Sequence, residues 1–302
     1  MIIFSTFAFI KPFTMSNTID FTKMHGIGND YIYIDCTCAV PENLPDLSRE
    51  MSPRHTSIGS DGIILILPSE IADFKMRIFN ADGSEAKMCG NGSRCVGKYV
   101  YDHGLTSKTD ITLETLSGVK YLTLSINETT GKVDQVTVDM GLPSFETKEI
   151  GMNIEEDTFV GRRLSTTDGR YSHKLTAVSI GNPHGVIFMP TLEGLDINEV
   201  GKEYENHPIW TDRANIEFIE CVDRHRLKMR VWERGSGETQ ACGTGACAAA
   251  MAAVATGRAD IPVTVNLLGG DLIIDVNDKG HIMMTGPATE VFSGQYTRQI
   301  TG

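Results

Sequence analysis

The chain has no apolar run of the ~18 residues that a membrane-spanning helix needs. It also lacks a dense Lys/Arg run, and its 39 acidic against 27 basic residues give a net charge of −12. A nucleic-acid binder usually has a basic face, so we predict neither membrane nor nucleic-acid binding. With 41% hydrophobic and 22% charged residues, the composition is typical of a soluble globular protein that binds a small molecule or another protein.

Cysteine pairs with metal-binding spacing are also absent. The seven cysteines include no C-x₂-C pair, and no paired His ligands stand near them. An odd number of cysteines in a long chain does not indicate a disulfide framework, so we predict reduced thiols, a cytoplasmic location and no metal site. Five of the seven are expected to be small core residues: Cys36, Cys38, Cys95, Cys221 and Cys247.

One fixed offset relates two long parts of the chain. KMRIF at 75–79 matches KMRVW at 228–232, and the same offset of 153 residues carries Cys89 onto Cys242. It also relates Ile27 to Ile180, Asn29 to Asn182, Glu85 to Glu238 and Gly104 to Gly257. A single offset that holds over so many residues indicates a duplication.

We therefore predict two copies of one module, residues 20–145 and 146–295, with a boundary near Gly141-Leu142-Pro143. Residues 1–19 are predicted to be an N-terminal extension. Its first ten residues are apolar but have neither a basic leader nor a small-residue cleavage site, so a signal peptide is not expected.

Each module is predicted to be β-rich with one helix. Short runs with β-branched or aromatic residues predict strands at 31–35, 63–67, 75–79, 111–114, 120–126 and 135–140, then at 176–180, 186–189, 216–220, 228–232, 263–266 and 271–276. The segment 246–255, ACAAAMAAVA, is small and apolar on every face, so its helix must be buried all round. A strand layer curled around one central helix meets this requirement. Gly104 and Gly257 lie where these helices are expected to end.

Two cysteine motifs stand at the predicted starts of the helices, Cys-Gly-Asn-Gly at 89–92 and Cys-Gly-Thr-Gly at 242–245. Unpaired N–H groups and the helix dipole at such a position favour a thiolate, lower the pKa of the thiol and can hold a carboxylate. Two facing sites would place the α-carbon of a bound carboxylate between two sulfurs. One thiolate could then remove the α-proton while the opposite thiol returns a proton to the other face. The pattern predicts inversion of a stereocentre in a cleft between the modules.

At these residues the sequence resembles the diaminopimelate epimerase family. The resemblance is carried by KMHGIGND at 23–30, FNADGSE at 79–85, GNPH at 181–184, RAN at 213–215 and WERGSGETQACGTG at 232–245. It implies an α/β (α+β) fold of two pseudo-symmetric modules, each a β-barrel wrapped around a central α-helix, with the active site in the cleft between them. In such a fold the last strands can pack on the N-terminal module.

The resemblance also implies an activity. A member of this family interconverts LL- and meso-2,6-diaminoheptanedioate, for lysine and peptidoglycan precursor biosynthesis, by a two-base thiolate/thiol mechanism. It uses neither pyridoxal phosphate nor a metal, so no cofactor is expected, and homodimers are usual. By resemblance, Cys242 takes the proton from the LL isomer and Cys89 donates one, with the roles exchanged for the meso isomer.

Matching positions imply the roles of individual residues. Cys89 and Cys242 are the catalytic thiols. The residues implied to bind the reacting carboxylate are Gly90, Asn91, Gly243 and Thr244. Those implied to bind the ammonium groups and the distal carboxylate are Asn29, Asn80, Asn182, Asn215, Glu233 and Arg234. His25 and His184 are either walls of the site or structural histidines. Gly62 stands where some members of the family carry a glutamine contact.

Other functions are compatible with parts of this pattern. Proline racemases and hydroxyproline epimerases share the two thiols, but they usually carry His at the position of Asn91 and have no use for Glu233 and Arg234. Phenazine-biosynthesis-like isomerases share the fold and lack both cysteines. A thiol redox sensor or a ligand-binding module is the non-enzymatic alternative, and a sensor would use a reversible Cys89–Cys242 disulfide.

Overall fold

The computed structural model describes residues 18–298, which form one continuous 18-stranded sheet and five helices. The strands are β1 Thr18–Gly26, β2 Asn29–Asp35, β3 Gly62–Leu67, β4 Phe74–Asn80, β5 Glu85–Ala86, β6 Asp110–Thr115, β7 Gly118–Ile126, β8 Val133–Gly141, β9 Arg162–Ser165, β10 Ser172–Ser179, β11 Pro183–Met189, β12 Asn215–Asp223, β13 Arg226–Glu233, β14 Gly237–Glu238, β15 Val263–Leu267, β16 Gly270–Val276, β17 Ile282–Pro287 and β18 Thr289–Thr297. The helices are α1 Leu44–Met51, α2 Gly90–Asp102, α3 Thr147–Ile150, α4 Ile197–Glu205 and α5 Gly243–Ala255. None of these helices is long and apolar enough to cross a membrane.

The helix α5 is enclosed by strands, as its all-apolar sequence predicts. Its residues from Ala246 to Ala253 are buried, and it contacts strands β10 to β13 and β15 to β17. The helix α2 contacts β1, β2, β7 and β8. Strands cover α5 because it has no polar face that could lie in water, whereas α2 is covered although it carries the charged residues Arg94 and Lys98.

Both central helices end as the sequence predicts, at glycines with a left-handed backbone. Gly104 has φ 74° and Gly257 has φ 68°. The next amide in each case bonds back across the last turn, from Leu105 to the Val100 carbonyl (2.9 Å) and from Arg258 to the Ala253 carbonyl (2.8 Å). This pattern satisfies carbonyls that a helix end would otherwise leave unpaired.

The offset of 153 residues recurs in the arrangement of the elements. Helix α2 begins at Gly90 and α5 at Gly243, while α1 begins at Leu44 and α4 at Ile197. The four parallel pairs of the sheet also form two matched sets, β2–β3 with β11–β12 and β4–β6 with β13–β15. Strand β17 pairs with β8, and β18 returns to pair with β1. The boundary between residues 145 and 146 stays a prediction.

Several sequence expectations need correction. Eleven of the twelve predicted strands lie wholly within observed strands, and the twelfth runs one residue past the end of β10. The expectation that strands accompany a single helix in each module is wrong, because α1 and α4 also form. Cys38 and Cys221 are exposed and not core residues, because both lie in exposed stretches at or beyond strand ends. Of the predicted N-terminal extension, residues 1–17 lie outside the described residues, and Thr18 and Ile19 begin β1.

The enclosure of α5 predicts its response to larger side chains. Ala250 is fully buried, so Ala250→Leu forces extra methylenes into a packed core and should lower the free energy of unfolding by about 1–3 kcal/mol. Val254 on the same helix is 39% exposed, so Val254→Leu is the control and should have little effect. Urea denaturation of both variants measures the difference, and equal stabilities would contradict the enclosure.

Candidate active site

Each motif cysteine is the N-cap of its helix. Cys89 has φ −140° and ψ 114°, and its sulfur accepts a hydrogen bond from the Gly92 amide at 3.3 Å. Cys242 has φ −123° and ψ 106°, and its sulfur accepts from the Gly245 amide at 3.3 Å. The extended backbone turns each sulfur back over the first helical turn. The two thiols therefore occupy the same local structure in both halves.

Two amides at the start of each helix are left without an acceptor inside the helix. The third amide bonds to the cysteine sulfur, and the fourth, of Ser93 or Ala246, bonds to the cysteine carbonyl. The remaining donors belong to the four residues predicted to bind a carboxylate: Gly90, Asn91, Gly243 and Thr244.

The two helix starts meet at the side chain of Met284 in β17. A Cβ on Gly90 would lie 2.9 Å from the Met284 methyl, and a Cβ on Gly243 would lie 3.0 Å from its sulfur. Glycine at both positions thus lets the two helix starts lie close to the Met284 side chain. Any larger residue would push them away from it. The first half also reaches the second directly, because the Asn91 amide nitrogen donates to the carbonyl of Ala241, next to Cys242, at 3.3 Å.

Asn29 joins the Cys89 half of the site. Its side-chain oxygen accepts from the Cys89 thiol at 3.2 Å and from the Asn91 amide nitrogen at 3.4 Å. The orientation of this amide is fixed because its nitrogen donates to Asp61 at 2.7 Å. Asp61 in turn lies in an ion-pair cluster with Arg54 and Asp30.

A chain of polar contacts surrounds Cys242. The Thr244 hydroxyl lies 3.5 Å from the sulfur and accepts from the Asn182 amide nitrogen at 3.4 Å. The Asn182 oxygen lies 3.0 Å from His184 Nε2, and His184 Nδ1 lies 2.7 Å from Glu217 Oε1. His184 and Glu217 are both fully buried.

Both thiols have raised pKa values, which is opposite to the expected lowering. Burial raises the pKa of Cys89 to about 11, although the Gly92 amide and the charge of Arg94 oppose this shift. Burial also raises the pKa of Cys242 well above its usual range, and the carboxylates of Glu233 and Glu217 add to the shift. The amides at the helix start act as expected, but removal of water from the thiol outweighs them.

Glu233 and Arg234 follow one another at the end of β13, with different surroundings. Burial raises the pKa of Glu233, while hydrogen bonds from Thr239 and the Cys242 thiol oppose the shift. The Arg234 guanidinium pairs at 2.9 Å with Asp212, whose side chain is 81% exposed. The Arg234 amide donates to the Asn215 oxygen at 2.9 Å, so the backbone of this loop orients Asn215.

The remaining predicted residues have local contacts. The Asn80 amide nitrogen donates to Ser84 at 3.1 Å. His25 Nδ1 accepts from the Gly28 amide at 3.2 Å, which supports the β1–β2 turn. Gly62 has φ 153°, and a Cβ there would overlap the carbonyl of Phe79, so this backbone has no room for any side chain at position 62.

Sequence reasoning missed four groups near the cysteines: Asp61, Arg94, Glu217 and Thr239. Arg94 is fully buried, and one terminal nitrogen has no hydrogen-bond partner among residues 18–298. Glu217 and Arg94 could have been noticed in the sequence, because each is a charged residue among small or apolar neighbours in a predicted strand or helix. Asp61 and Thr239 lie in polar loops and gave none.

Solved structures share this fold. A phenazine biosynthesis protein from Bacillus anthracis matches with a TM-score of 0.67 at 18% identity, over 92% of this chain and 99% of that chain. A hydroxyproline epimerase from Agrobacterium vitis matches with a TM-score of 0.63 at 15% identity, over 93% and 91%. The chain thus has the sheet-dominated mixed α/β fold of these two proteins, which confirms the predicted fold class, while the division into two modules stays a prediction.

Sequence comparisons define the family. The diaminopimelate epimerase family model matches residues 21–146 and 176–291. Relatives named diaminopimelate epimerase from Acetivibrio thermocellus and Phocaeicola vulgatus are each 51% identical, over 91% and 93% of this chain and 97% and 99% of theirs. The chain belongs to the diaminopimelate epimerase family, which confirms the resemblance identified from the motifs.

The different surroundings of the two thiols predict an order of reactivity. The thiolate is the reactive form, so alkylation speeds up as pH rises toward the pKa. Cys89 is partly exposed, whereas Cys242 is buried and its pKa is raised by two nearby carboxylates in addition to burial. Iodoacetamide should therefore modify Cys89 before Cys242 between about pH 7 and pH 10. Peptide mass mapping measures both sites in one sample, with exposed Cys38 as the reference. Faster modification of Cys242 would contradict the assigned electrostatics.

Proposed function

We propose that this chain interconverts LL- and meso-2,6-diaminoheptanedioate by proton transfer at one α-carbon between Cys89 and Cys242. The observation that carries the proposal is the pair of N-cap thiols on two helices whose first residues meet at Met284. Membership of the diaminopimelate epimerase family supports the choice of substrate.

The free amides at both helix starts bind the reacting carboxylate and hold the α-carbon between the sulfurs. One thiolate removes the α-proton, and the opposite thiol donates a proton to the other face. The same amides stabilise negative charge that develops on the carboxylate when the proton leaves. For the LL isomer Cys242 is the base and Cys89 the acid, and the roles exchange for the meso isomer.

The raised pKa values mean that both thiols are protonated in the free protein near neutral pH. A base must therefore form when substrate binds. Glu233 accepts a hydrogen bond from the Cys242 thiol, so its carboxylate is a nearby acceptor for the thiol proton. Burial raises the pKa of Glu233 as well, which makes this transfer less uphill than to an ordinary carboxylate.

The distal end of the substrate is recognised by side chains outside the two motifs. Arg234 suits a carboxylate because its guanidinium can donate two parallel hydrogen bonds. Its present partner, Asp212, is largely exposed, and a solvent-exposed ion pair contributes little. Substrate can therefore replace Asp212 at low cost. Asn80, Asn182 and Asn215 supply mixed donors and acceptors for the ammonium groups and carboxylates.

The assembly and location of the protein belong to the same proposal. We expect a homodimer, as the family resemblance implies, and a cytoplasmic enzyme. The alternatives of a proline racemase type of activity and of a redox sensor are not favoured, because the family match and the relatives at 51% identity support the epimerase function.

The decisive assay is incubation of the reduced protein with the LL isomer in D₂O. One α-position should gain deuterium while meso product forms, because the returning proton comes from a solvent-exchanged thiol. Chiral chromatography with mass spectrometry measures both events. L-Proline under the same conditions is the control and should remain unchanged. If the LL isomer keeps its α-proton and configuration, the proposed function is wrong.

Removal of either thiol should abolish inversion, because each face of the α-carbon needs its own proton carrier. Cys89→Ala and Cys242→Ala are each expected to lower kcat for meso formation by about 100-fold to 10,000-fold. Cys38→Ala removes an exposed thiol and should retain wild-type turnover. Circular dichroism checks that the variants fold. Near wild-type kcat in either motif variant would exclude the two-base mechanism.

A further inference from the structure

The two halves of the site differ at one matched position. The offset of 153 residues relates Glu217 in β12 to Ile64 in β3. A Cβ on Gly245 would lie 2.8 Å from Glu217 Oε1, and a Cβ on the matched Gly92 would lie 2.7 Å from Ile64 Cδ1. A carboxylate in the Cys242 half therefore occupies the place that a methyl group occupies in the Cys89 half.

The fold itself does not need this carboxylate. Glu217 and Ile64 are both fully buried, so the architecture accepts a hydrophobic residue at this place. The second oxygen of Glu217 has no hydrogen-bond partner among residues 18–298. Burial of a partly unsatisfied acid costs folding free energy. A buried acid that is kept in spite of this cost indicates that Glu217 has a functional role near Cys242.

The contacts of Glu217 identify that task. Glu217 Oε1 and His184 Nδ1, 2.7 Å apart, hold one proton between them. The Asn182 oxygen can only accept a hydrogen bond, so His184 Nε2, 3.0 Å away, is the donor in this contact. His184 is then either the imidazolium or the neutral tautomer whose Nδ1 accepts from a protonated Glu217. This contact turns the Asn182 oxygen away from the site. The NH₂ group of Asn182 therefore points to Thr244 beside Cys242.

The matched asparagine of the first half, Asn29, has its side-chain amide in the opposite orientation. The Asn29 nitrogen donates to Asp61 at 2.7 Å, and its oxygen faces the Cys89 thiol at 3.2 Å. Tyr31 stands at the position that matches His184. Asn29 therefore presents an acceptor to its thiol, whereas Asn182 presents a donor to Thr244 beside Cys242.

We infer that Glu217, through His184, is a positioning residue that fixes the donor end of the Asn182 amide toward the Cys242 side of the site. This inference rests on the proposed epimerase function. The Glu217–His184 pair makes the two sides of the pocket chemically different, although the duplication would otherwise make them alike. The pocket then offers an acceptor on one side and donors on the other, which distinguishes the ammonium and carboxylate ends of a bound amino acid.

Two substitutions and one matched control test the inference by steady-state kinetics in both directions. Glu217→Ile installs the residue of the first half and releases His184, so kcat/KM should fall by about tenfold to 100-fold. Glu217→Gln keeps a hydrogen bond to His184 and should retain more of the activity. Glu220→Gln changes a carboxylate in the same strand that pairs with Lys228 outside the site, and should leave both parameters unchanged. A kcat/KM within twofold of wild type for folded Glu217→Ile overturns the inference.

A readout independent of turnover separates positioning from a general loss of packing. Nitrogen-15 spectra of the histidine rings, with His184 assigned from a His184→Gln variant, should show a protonated Nε2 in wild type and in Glu217→Gln. In Glu217→Ile the preference for this tautomer should be lost. An unprotonated Nε2 in wild type overturns the inference. If Glu217→Ile does not fold, Glu217→Gln and the wild-type spectrum decide.

If the wild-type protein is inactive on the LL isomer, the proposed function is refuted, and the spectra still test the positioning role of Glu217.

Discussion

The contact of both central helices with Met284 is the constraint on which the rest of the site depends. Gly90 and Gly243 have no Cβ, and this alone lets the two helix starts come within van der Waals distance of one methionine side chain. Chemistry that passes a proton through a single carbon from two sides tolerates little displacement of either group. The surrounding strands hold both helices in place, and α5 in particular is too apolar to leave the enclosure.

Much of this arrangement could be predicted from the sequence, because duplication is visible as a constant offset. The offset identified the two helices, their glycine ends and the matched cysteines, and the small, all-apolar stretch of α5 showed that strands must enclose it. Helices α1 and α4 were missed although α1 buries Leu44, Leu47, Ser48 and Met51, a helical spacing. A proline within the first turn and a short length made this pattern easy to overlook.

The electrostatics of the site could not be predicted in the same way. A cysteine at a helix start suggests a lowered pKa, but the sign of the net shift depends on how much water the fold removes from the sulfur. Neighbouring charges also contribute: Arg94 in the same helix acts on Cys89, while Glu217 of β12 and Glu233 of β13 act on Cys242. Spacing along the sequence shows which residues of the two halves correspond. Only tertiary contacts show that the surroundings of the two thiols differ.

The pairing of β18 with β1 brings the two ends of the described chain together. Thr18 lies opposite Thr297, so the first and last described strands run side by side and their outer ends leave the sheet at the same edge. Tension applied to those ends would open the pairs singly, in the manner of a zipper, and not shear the whole ladder at once. The pair of His25 with Thr289, next to the β1–β2 turn that leads to Asn29, is the last in the ladder to bear load.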